Sequence, residues 1–513
     1  MRERDRNYIP PLVSSPKCRK SFRKTPGRSL NLGERNRSVS DHCRSGAVRA
    51  VGWTLLLCIA CSDSGPPDPD PDPEKNSVEI SPAGRPVLVG SSVDFTATVV
   101  DPDSVPIFFD SIVWTVTNPA LATVDSFGVA FFSALGTTGV IAAAGDVSDT
   151  VTVTVHAVDW ARLDAGRGPT CGLTTTGQAY CWGYGGRGAV GDGQFIDQQI
   201  PTAVGGGLTF STIETGGWMS CGLTTAGAAY CWGEEGGVGF VNSSVPDTAL
   251  PAAVSGGLVF TSLTVGGLHS CGLNAAGAAY CWGYGISGQL GDGGFVSSRD
   301  PVPVSGNLVF TELSAGWEHT CGVTVNGQAY CWGNNTHGML GTGDKITVAL
   351  PAQVASPDSF IAISAGAVHS CGIVAGGAAV CWGANHDGQM GTGSADSGST
   401  TPVPVAGGLN FMQVSAAIVD DHFTCGVTTG GDGYCWGQNS SGHLGDGSTT
   451  ARTSPSLVAG SITFSSITTG WLHGCGTATD GRSYCWGNDS FGAMGNGRPD
   501  TGSPVPVQVP GKP

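Results

Sequence analysis

Short runs in which apolar and polar residues alternate fill most of the chain from residue 77 onward. FTSLTVGG (260–267) and TVTVTVHAV (150–158) have the two-residue period of strands that are buried on one face. Gly-rich turns separate such runs, and the repeated segments show no helical period. The pattern therefore predicts an all-β protein.

One unit of about 50 residues recurs seven times from Trp160 onward. Each copy contains a pair of cysteines, and the first cysteines of successive copies are 50, 50, 50, 50, 54 and 50 residues apart. CGLTTTGQAYCWG (171–183) has two short runs around a Thr-Gly turn, which indicates a hairpin. With one strand before the hairpin and an extended PVPV segment (301–304) after it, each unit predicts a four-stranded propeller blade.

The two ends of the array contain different parts of the unit. WARLDAG (160–166) matches the first strand, and SPVPVQVPG (503–511) matches the segment that elsewhere precedes that strand. We therefore expect the two ends to complete one shared blade and to remove an open sheet edge. The propeller would then occupy residues 158–513.

The units resemble repeats of the regulator of chromosome condensation family. GGLHSCGLNAAGAAYCWGYGISGQLGDG (266–293) and GWEHTCGVTVNGQAYCWGNNTHGMLGTG (316–343) show its Gly-x-x-His-Ser/Thr strand, Gly-turn hairpin, Trp-Gly and terminal Gly-Gln-Leu-Gly pattern. The resemblance implies a seven-bladed propeller. Its members include nucleotide exchange factors, a plant ultraviolet photoreceptor and a bacterial β-lactamase inhibitor, so the fold does not transfer one function.

The segment 77–157 is similar to the bacterial immunoglobulin-like domain of group 2. VWTVTNPALATVDSFGVAFFSALGTTGVIAAAG (113–145) has Trp114, Asn118-Pro119, Val124-Asp125, Gly128 and Gly136 in the order of that family. The resemblance implies a small β-sandwich, and such domains are usually spacers or adhesive stalks on bacterial surfaces. The linker 61–76 before it contains PPDPDPDPE (66–74), which predicts a stiff spacer.

Each cysteine pair is predicted to form a disulfide. With a hairpin turn centred on Thr176, Cys171 lies opposite Cys181, where Cβ atoms approach to about 4.5–5.5 Å. Structural zinc, the alternative, requires cysteines separated by about two to four residues, a spacing that the units lack. The predicted disulfides are Cys171–Cys181, Cys221–Cys231, Cys271–Cys281, Cys321–Cys331, Cys371–Cys381, Cys425–Cys435 and Cys475–Cys485. Their number indicates an exported protein.

An export signal is predicted within residues 1–60. In GAVRAVGWTLLLCIAC (46–61), basic residues precede an apolar run that is too short for a membrane span, and a polar segment follows. The ending Cys-Ile-Ala-Cys resembles a lipobox, which implies that Cys61 becomes a lipid anchor after cleavage. A poorly cleaved anchor or a buried strand is the alternative. We expect an outer-membrane or cell-surface lipoprotein, or a periplasmic or secreted protein.

Charge is distributed unevenly along the chain. Residues 1–50 hold 13 Lys and Arg against 4 Asp and Glu, which fits a lengthened signal-peptide n-region, whereas 11 basic and 36 acidic residues follow. A strongly acidic mature chain disfavours nucleic acid and anionic membrane surfaces as partners. Membrane contact is therefore expected only through the lipid anchor.

Candidate catalytic chemistry is sparse. His269, His319, His369 and His473 stand two residues before a blade cysteine, and as repeat positions they are interpreted as hydrogen-bonded structural residues. Blade six has extra residues that place Asp420, Asp421 and His422 on a longer loop. A metal or acid/base role, a partner contact and tolerated loop variation are the alternatives there. We predict no catalytic residue, no metal and no cofactor.

Large aromatic residues mark a candidate binding face. Trp317 in GWEHT and Trp471 in GWLHG occupy the place of the Gly-Trp-Arg-His-Thr motif of the ultraviolet photoreceptor, and Trp218 lies one position later. Glu318 and Leu472 replace the motif's arginine, and blades two, four and seven are not consecutive. We therefore expect neither a packed tryptophan cluster nor the arginine pairing of that receptor. Partner binding and packing between blades remain the two interpretations of these rings.

Two classes of function remain open. In the first, the chain is a non-enzymatic, envelope-anchored or secreted binding protein whose immunoglobulin-like domain presents the propeller to a protein or glycan. In the second, it is an enzyme regulator, inhibitor-like or with exchange-factor activity by family analogy alone, or a hydrolytic enzyme whose site is not recognised. Export argues against cytosolic GTPases, and no convergent catalytic set is visible, so the first class is favoured. The protein is expected to be a monomer.

Overall fold

The computed structural model describes residues 76–84, 86–107, 111–234, 246–419, 422–498 and 502–512. The predicted signal with Cys61, the Pro-Asp spacer, Asp420 and Asp421 lie outside these ranges. The described residues form β-sheets with short 3-10 turns at Ser255–Gly257 and Ser490–Gly492, which confirms the all-β prediction. In this part of the chain, no helix has the length and apolar character needed to span a bilayer.

The first ten strands form the immunoglobulin-like domain. They are β1 (Ser77–Ser81), β2 (Val87–Leu88), β3 (Ser92–Asp94), β4 (Thr96–Val100), β5 (Pro106–Ile107), β6 (Val113–Val116), β7 (Ala122–Val124), β8 (Val129–Phe132), β9 (Gly136–Ala144) and β10 (Val147–His156). Their sheets have the orders β2-β10-β9-β6, β1-β4-β5 and β3-β8-β7. Phe95, Phe132 and Val153 are buried in the core of this domain, as the alternating pattern requires.

Seven four-stranded antiparallel sheets follow, one for each repeat, and form the propeller blades. Blades 1 and 2 consist of β11 (Trp160–Ala165), β12 (Pro169–Thr174), β13 (Ala179–Gly183), β14 (Gln198–Ala203), β15 (Phe210–Thr215), β16 (Met219–Thr224), β17 (Ala229–Gly233) and β18 (Thr248–Ala253). Blades 3 and 4 consist of β19 (Ser262–Val265), β20 (His269–Leu273), β21 (Ala279–Gly283), β22 (Ser298–Pro303), β23 (Phe310–Ala315), β24 (His319–Thr324), β25 (Ala329–Gly333) and β26 (Val348–Gln353).

Blades 5 to 7 continue the same order. Their strands are β27 (Phe360–Ala365), β28 (His369–Val374), β29 (Ala379–Asn385), β30 (Asp396–Pro404), β31 (Phe411–Ala416), β32 (Phe423–Thr428), β33 (Gly433–Gly437), β34 (Arg452–Leu457), β35 (Phe464–Thr469), β36 (His473–Ala478), β37 (Ser483–Gly487) and β38 (Ser503–Gln508). The first strand of each blade packs against the first strands of its neighbours, so these seven strands surround a central channel.

The ring closes without a shared blade. The last strand, β38, pairs with β37 of its own repeat, with Tyr484 opposite Gln508, and β11 pairs with β12 of blade 1. Blade 7 meets blade 1 by packing of β35 and β36 on β11. The prediction that residues 160–166 and 503–511 complete one blade is therefore wrong, because the extended PVPV segment belongs to the unit that precedes it in the chain.

A ring of backbone hydrogen bonds joins the blades where each inner strand ends. The Trp471 N–H of blade 7 donates to the Gly166 carbonyl of blade 1 over 3.2 Å. The other described bonds of this ring, donor first, are Arg167–Gly216, Gly217–Gly266, Gly267–Gly316, Trp317–Gly366 and Ala367–Ala417. The blades approach so closely here that a Cβ atom on Gly216 would lie 2.0 Å from the Gly266 carbonyl oxygen. Glycine is therefore required for steric reasons.

All seven predicted disulfides are present. Cys171 stands opposite Cys181 in the register of β12 and β13, and the S–S distances of the seven pairs run from 2.07 to 2.11 Å. The remaining pairs are Cys221–Cys231, Cys271–Cys281, Cys321–Cys331, Cys371–Cys381, Cys425–Cys435 and Cys475–Cys485. The hairpin register predicted from the sequence is confirmed.

Non-reduced peptide mapping should therefore show seven links, each within one blade. The cysteines are buried, so reduction under native conditions should be slow unless the blade opens. Mass spectrometry of protein alkylated before denaturation checks this, with reduced and denatured protein as the control for complete labelling. Links between blades, or fast labelling of the propeller cysteines, would contradict the fold.

The repeated tryptophans, hydroxyl residues and histidines bind adjacent blades together. Trp332 Nε1 and Thr320 Oγ1 in blade 4 both donate to the Gln289 carbonyl of blade 3, over 2.9 and 2.8 Å. His269 Nε2 lies 2.7 Å from Thr320 Oγ1. Because the hydroxyl proton goes to the carbonyl, the imidazole must donate through Nε2. Burial lowers the pKa of His269 to about 3, which keeps the ring neutral.

The same histidine contact recurs at three further blade interfaces. The pairs are His319–Ser370, His369–Thr424 and His473–Thr170. The interpretation of these histidines as hydrogen-bonded structural residues is therefore confirmed.

The immunoglobulin-like domain is docked on the propeller rather than held away from it. Leu88 packs in one cluster with Trp160 and Val509, whereas Ile200 of blade 1 belongs to the core cluster of the immunoglobulin-like domain. The Gly511 N–H also donates to the Val89 carbonyl over 2.9 Å. The domain therefore covers the place where the ends of the propeller meet.

Candidate functional site

Trp218, Trp317 and Trp471 come together around one guanidinium group. The Cζ atom of Arg167 lies 4.9 Å from the ring centroid of Trp218, 5.2 Å from that of Trp317 and 5.4 Å from that of Trp471. These distances allow cation–π attraction to all three rings. The four side chains are half-buried. The prediction that these tryptophans do not form a cluster is therefore wrong, whereas Glu318 and Leu472 still stand in place of the motif's arginine.

The physical reason is convergence on the propeller axis. Arg167 stands four residues before the first cysteine of blade 1, the position that Trp317 and Trp471 occupy in blades 4 and 7. These positions follow the inner strands, so their side chains lie at one mouth of the channel. Groups from blades 1, 2, 4 and 7 can reach one guanidinium there although the blades are not consecutive. We call Arg167, Trp218, Trp317 and Trp471 the tryptophan cluster.

Close backbone contacts fix the rings of the cluster. A Cβ atom on Gly267 would lie 2.2 Å from Cε3 of Trp317, and one on Gly168 would lie 2.8 Å from Cε3 of Trp218. Glycine at these positions therefore lets the indoles lie directly on neighbouring backbone. Aromatic contact continues outward through Tyr184, whose ring centroid is 4.7 Å from that of Trp218 and 5.2 Å from that of Phe491. Aromatic packing around the tryptophan cluster thus extends over the ends of blades 1 and 7.

The other candidate residues lie on the same end of the blades. Glu318 Oε2 accepts a hydrogen bond from Asn334 Nδ2 over 2.7 Å. His422 Nδ1 lies 2.9 Å from Asp387 Oδ2 of blade 5. Asp420 and Asp421 are outside the described residues. Among the residues that the structure describes, no group of three His, Cys, Asp or Glu side chains is placed to hold a metal ion.

The channel behind the cluster is lined by Asp164, Glu214 and Glu312, which the sequence did not single out, and two of these carboxyl groups have a raised pKa. Burial raises the pKa of Glu214 to about 7; nearby Asp164 acts in the same direction, and Arg162, bonded to Glu214 over 2.7 Å, opposes it. Burial also raises the pKa of Glu312 to about 7, opposed by a hydrogen bond from the Ile363 N–H. The cavity has a volume of about 620 Å³. Each carboxyl is held by its own partners, an arrangement typical of a structural channel lining.

Matches to known families agree with this architecture. Residues 276–323 and 326–373 match the regulator of chromosome condensation (RCC1) repeat, and 310–338, 360–389 and 464–493 match a second model of the same description. Residues 75–155 match the bacterial Ig-like domain of group 2. The chain carries RCC1 repeats after a bacterial Ig-like domain. These RCC1 repeats contribute blades 3, 4, 5 and 7, which include two of the three clustered tryptophans.

Solved RCC1-type propellers have the same fold. The chain is 17% identical to human WBSCR16, covering 65% of this chain and 94% of that one with a TM-score of 0.58. It is 19% identical to yeast RCC1 (Prp20) in complex with Kap60, covering 69% and 85%. Prp20p of Saccharomyces cerevisiae also gives 19% identity, covering 69% and 87%, both with TM-scores of 0.58. No curated protein sequence matches the chain significantly. At these identities the likeness concerns the fold alone.

Proposed function

We propose that this chain is an exported, non-enzymatic binding protein that recognises a protein partner through the tryptophan cluster. The observation that carries the proposal is the convergence of Trp218, Trp317 and Trp471 on Arg167 at one mouth of the channel. Tryptophan and arginine are the side chains most enriched among binding hot spots. Because the rings are already fixed by contacts within the propeller, little side-chain entropy would be lost on binding.

The geometry of the cluster favours a protein over a glycan at this site. A sugar ring stacks on an open aromatic face, but Arg167 covers one face of each indole. The remaining ring edges, the Trp218–Tyr184 contact and the half-buried Leu472 offer an apolar surface with polar groups such as Glu318 beside it. A mixed surface of this kind is typical of protein interfaces.

The proposal includes export of the protein and its display at the cell surface. Seven disulfides favour an oxidising compartment, and the Ig-like domain is of a bacterial type. Lipid attachment at Cys61 would hold the docked domains at the cell envelope. Solved relatives support protein binding by this fold, since Prp20 is seen bound to Kap60 and Prp20p is described with binding properties to Gsp1p and histones.

Alanine at Trp317 should weaken binding of the partner at least thirtyfold. A buried aromatic anchor contributes more than about 2 kcal/mol to an interface, which corresponds to that loss of affinity. The partner is the protein that co-purifies with the exported full-length chain, and calorimetric titration measures its affinity for each variant. Trp218→Ala and Trp471→Ala should show losses of the same order.

Phe127→Ala is the matched control, because Phe127 is 83% exposed on the immunoglobulin-like domain and lies far along the chain from the cluster. It should bind with unchanged affinity. Thermal unfolding of every variant separates binding from folding. Normal binding by folded Trp317→Ala protein would show that the rings only pack the channel mouth, and the proposal would be withdrawn.

A further inference from the structure

A cleft of about 680 Å³ lies where the immunoglobulin-like domain meets blade 1. Pro86, Leu88 and Val158 come from the domain and the segment after it, and Tyr180 and Ile200 come from blade 1. Small-ligand sites commonly have volumes of about 300–1,000 Å³ and form at domain junctions. The cleft therefore has the size and position of a ligand site.

The walls of the cleft combine one aromatic side chain with many uncharged polar groups. Tyr180 is fixed by an edge contact with Trp160 at 5.7 Å and by its hydroxyl, which donates to Gln178 Oε1 over 3.2 Å. Thr175 and Thr176 add hydroxyl groups beside it. Apolar side chains of both domains line the rest, so an occupant would meet apolar and hydrogen-bonding surface together.

The described charged residues of the cleft argue against an anionic ligand. Asp159 and Asp192 line it, and no lysine or arginine is among its described lining residues. Lys512 Nζ is 3.2 Å from Asp159 Oδ1, so one of these carboxylates is already paired. An anionic ligand would be repelled by these carboxylates, and the described lining residues include no Lys or Arg that would bind it. A neutral ligand with several hydroxyl groups can instead donate hydrogen bonds to them.

We propose that this cleft binds an uncharged saccharide. A sugar ring presents an apolar face of C–H groups, which fits against Tyr180 and the apolar wall, and a rim of hydroxyls, which fits Gln178, the threonines and Asp192. The proposal is independent of the tryptophan cluster, which lies at the channel mouth and binds a protein. The chain would thus combine a protein-binding face with a saccharide-binding cleft.

The repeat provides an internal comparison. Tyr180 has equivalents before the second cysteine of most other blades, namely Tyr230, Tyr280, Tyr330, Tyr434 and Tyr484. Tyr330 has the same strand position in blade 4 and packs against a core cluster formed mainly by the preceding blade, but only Tyr180 of this set lines the cleft. The docked immunoglobulin-like domain therefore makes Tyr180, a tyrosine at a repeat position, part of the cleft.

Calorimetry of the full-length exported protein tests the proposal with three uncharged probes, maltotriose, cellotriose and tri-N-acetylchitotriose, and one anionic probe, trigalacturonic acid. At least one uncharged probe should bind with a Kd below about 1 mM, and the anionic probe should not bind. Tyr180→Ala should weaken that binding about tenfold or more, whereas Tyr330→Ala and Phe127→Ala should change it less than about twofold.

Thr175→Arg provides a second variant for the case that Tyr180→Ala unfolds. Thr175 is exposed, so a long cationic side chain there should fill the cleft without disturbing the core. It should abolish saccharide binding while the unfolding temperature stays unchanged. The proposal is overturned if no uncharged probe binds at about 10 mM. Equal losses from Tyr180→Ala and Tyr330→Ala, tighter binding of the anionic probe, or unaltered binding by Thr175→Arg would also overturn it.

Discussion

Replacing Gly216 with alanine should lower the free energy of unfolding by about 3 kcal/mol. The added Cβ atom would lie 2.0 Å from the Gly266 carbonyl oxygen and 2.7 Å from Cγ1 of Val265. Backbone belonging to the next blade cannot rotate away as a side chain can, so the two blades must separate. The Gly217–Gly266 bond of the backbone ring would be lost with that movement. Denaturant unfolding with intact disulfides measures the change.

Gly294→Ala is the control for this variant. A Cβ atom on Gly294 would meet nothing nearer than 3.4 Å, from an Asp292 side-chain oxygen. Its free energy of unfolding should stay within about 0.5 kcal/mol of the parent value. If Gly216→Ala were as stable as Gly294→Ala, the close approach of the blades around the axis, and with it the placement of the tryptophan cluster, would be refuted.

The propeller should lose stability as the pH falls below about 6.5. Burial lowers the pKa of His269, His319 and His369 to about 3 and that of His443 and His473 to about 4. As the pH falls, these histidines therefore bind protons in the unfolded chain before they do so in the folded protein. The stability that the neutral buried histidines contribute is lost toward pH 4. Glu214 and Glu312, with pKa values raised to about 7, act oppositely, because their contribution is lost as the pH rises toward 7. Five histidines outweigh two glutamates, so the net loss falls on the acid side.

His319→Gln isolates the contribution of one histidine. A glutamine amide can still donate to the Ser370 hydroxyl, which His319 Nε2 contacts at 2.8 Å, but it does not titrate. Between pH 7.5 and pH 5 the unfolding free energy of the parent should fall by about 2 kcal/mol more than that of the variant. Denaturant titrations at both pH values measure this difference, with His386→Gln at an exposed turn as the control. Parallel pH profiles of parent and His319→Gln would contradict a neutral buried imidazole.

Local features of the fold were predictable because the same sequence pattern occurs in all seven units. The two-residue period gave the strands, and the spacing of Cys171 and Cys181 around a Gly turn gave the register and the disulfide. The closure was not predictable in the same way. The segment 503–511 resembles a strand that could be the first strand of the next unit or the last strand of its own unit. Only the strand with which it pairs decides between these two assignments.

The candidate site was predicted in part. The sequence indicates Trp218, Trp317 and Trp471 as candidate binding residues, but it does not predict their convergence, because distance along a ring of blades says nothing about distance to its axis. Arg167 was missed although GRGPT (166–170) aligns with GWEHT (316–320). Comparing the residues at that one position across all blades would have identified it. The cleft beside Tyr180 depends on the docking of a second domain, which no repeat pattern encodes.

Site-specific photocrosslinking tests the central claim that the tryptophan cluster forms the partner-binding face. A benzophenone side chain in place of Leu472, next to Trp471 at the channel mouth, is compared with one in place of Met412, which is 55% exposed near the start of β31 at the opposite end of the channel. With the co-purifying partner present, we expect an adduct from position 472 and none from position 412. An adduct from position 412 alone would contradict it.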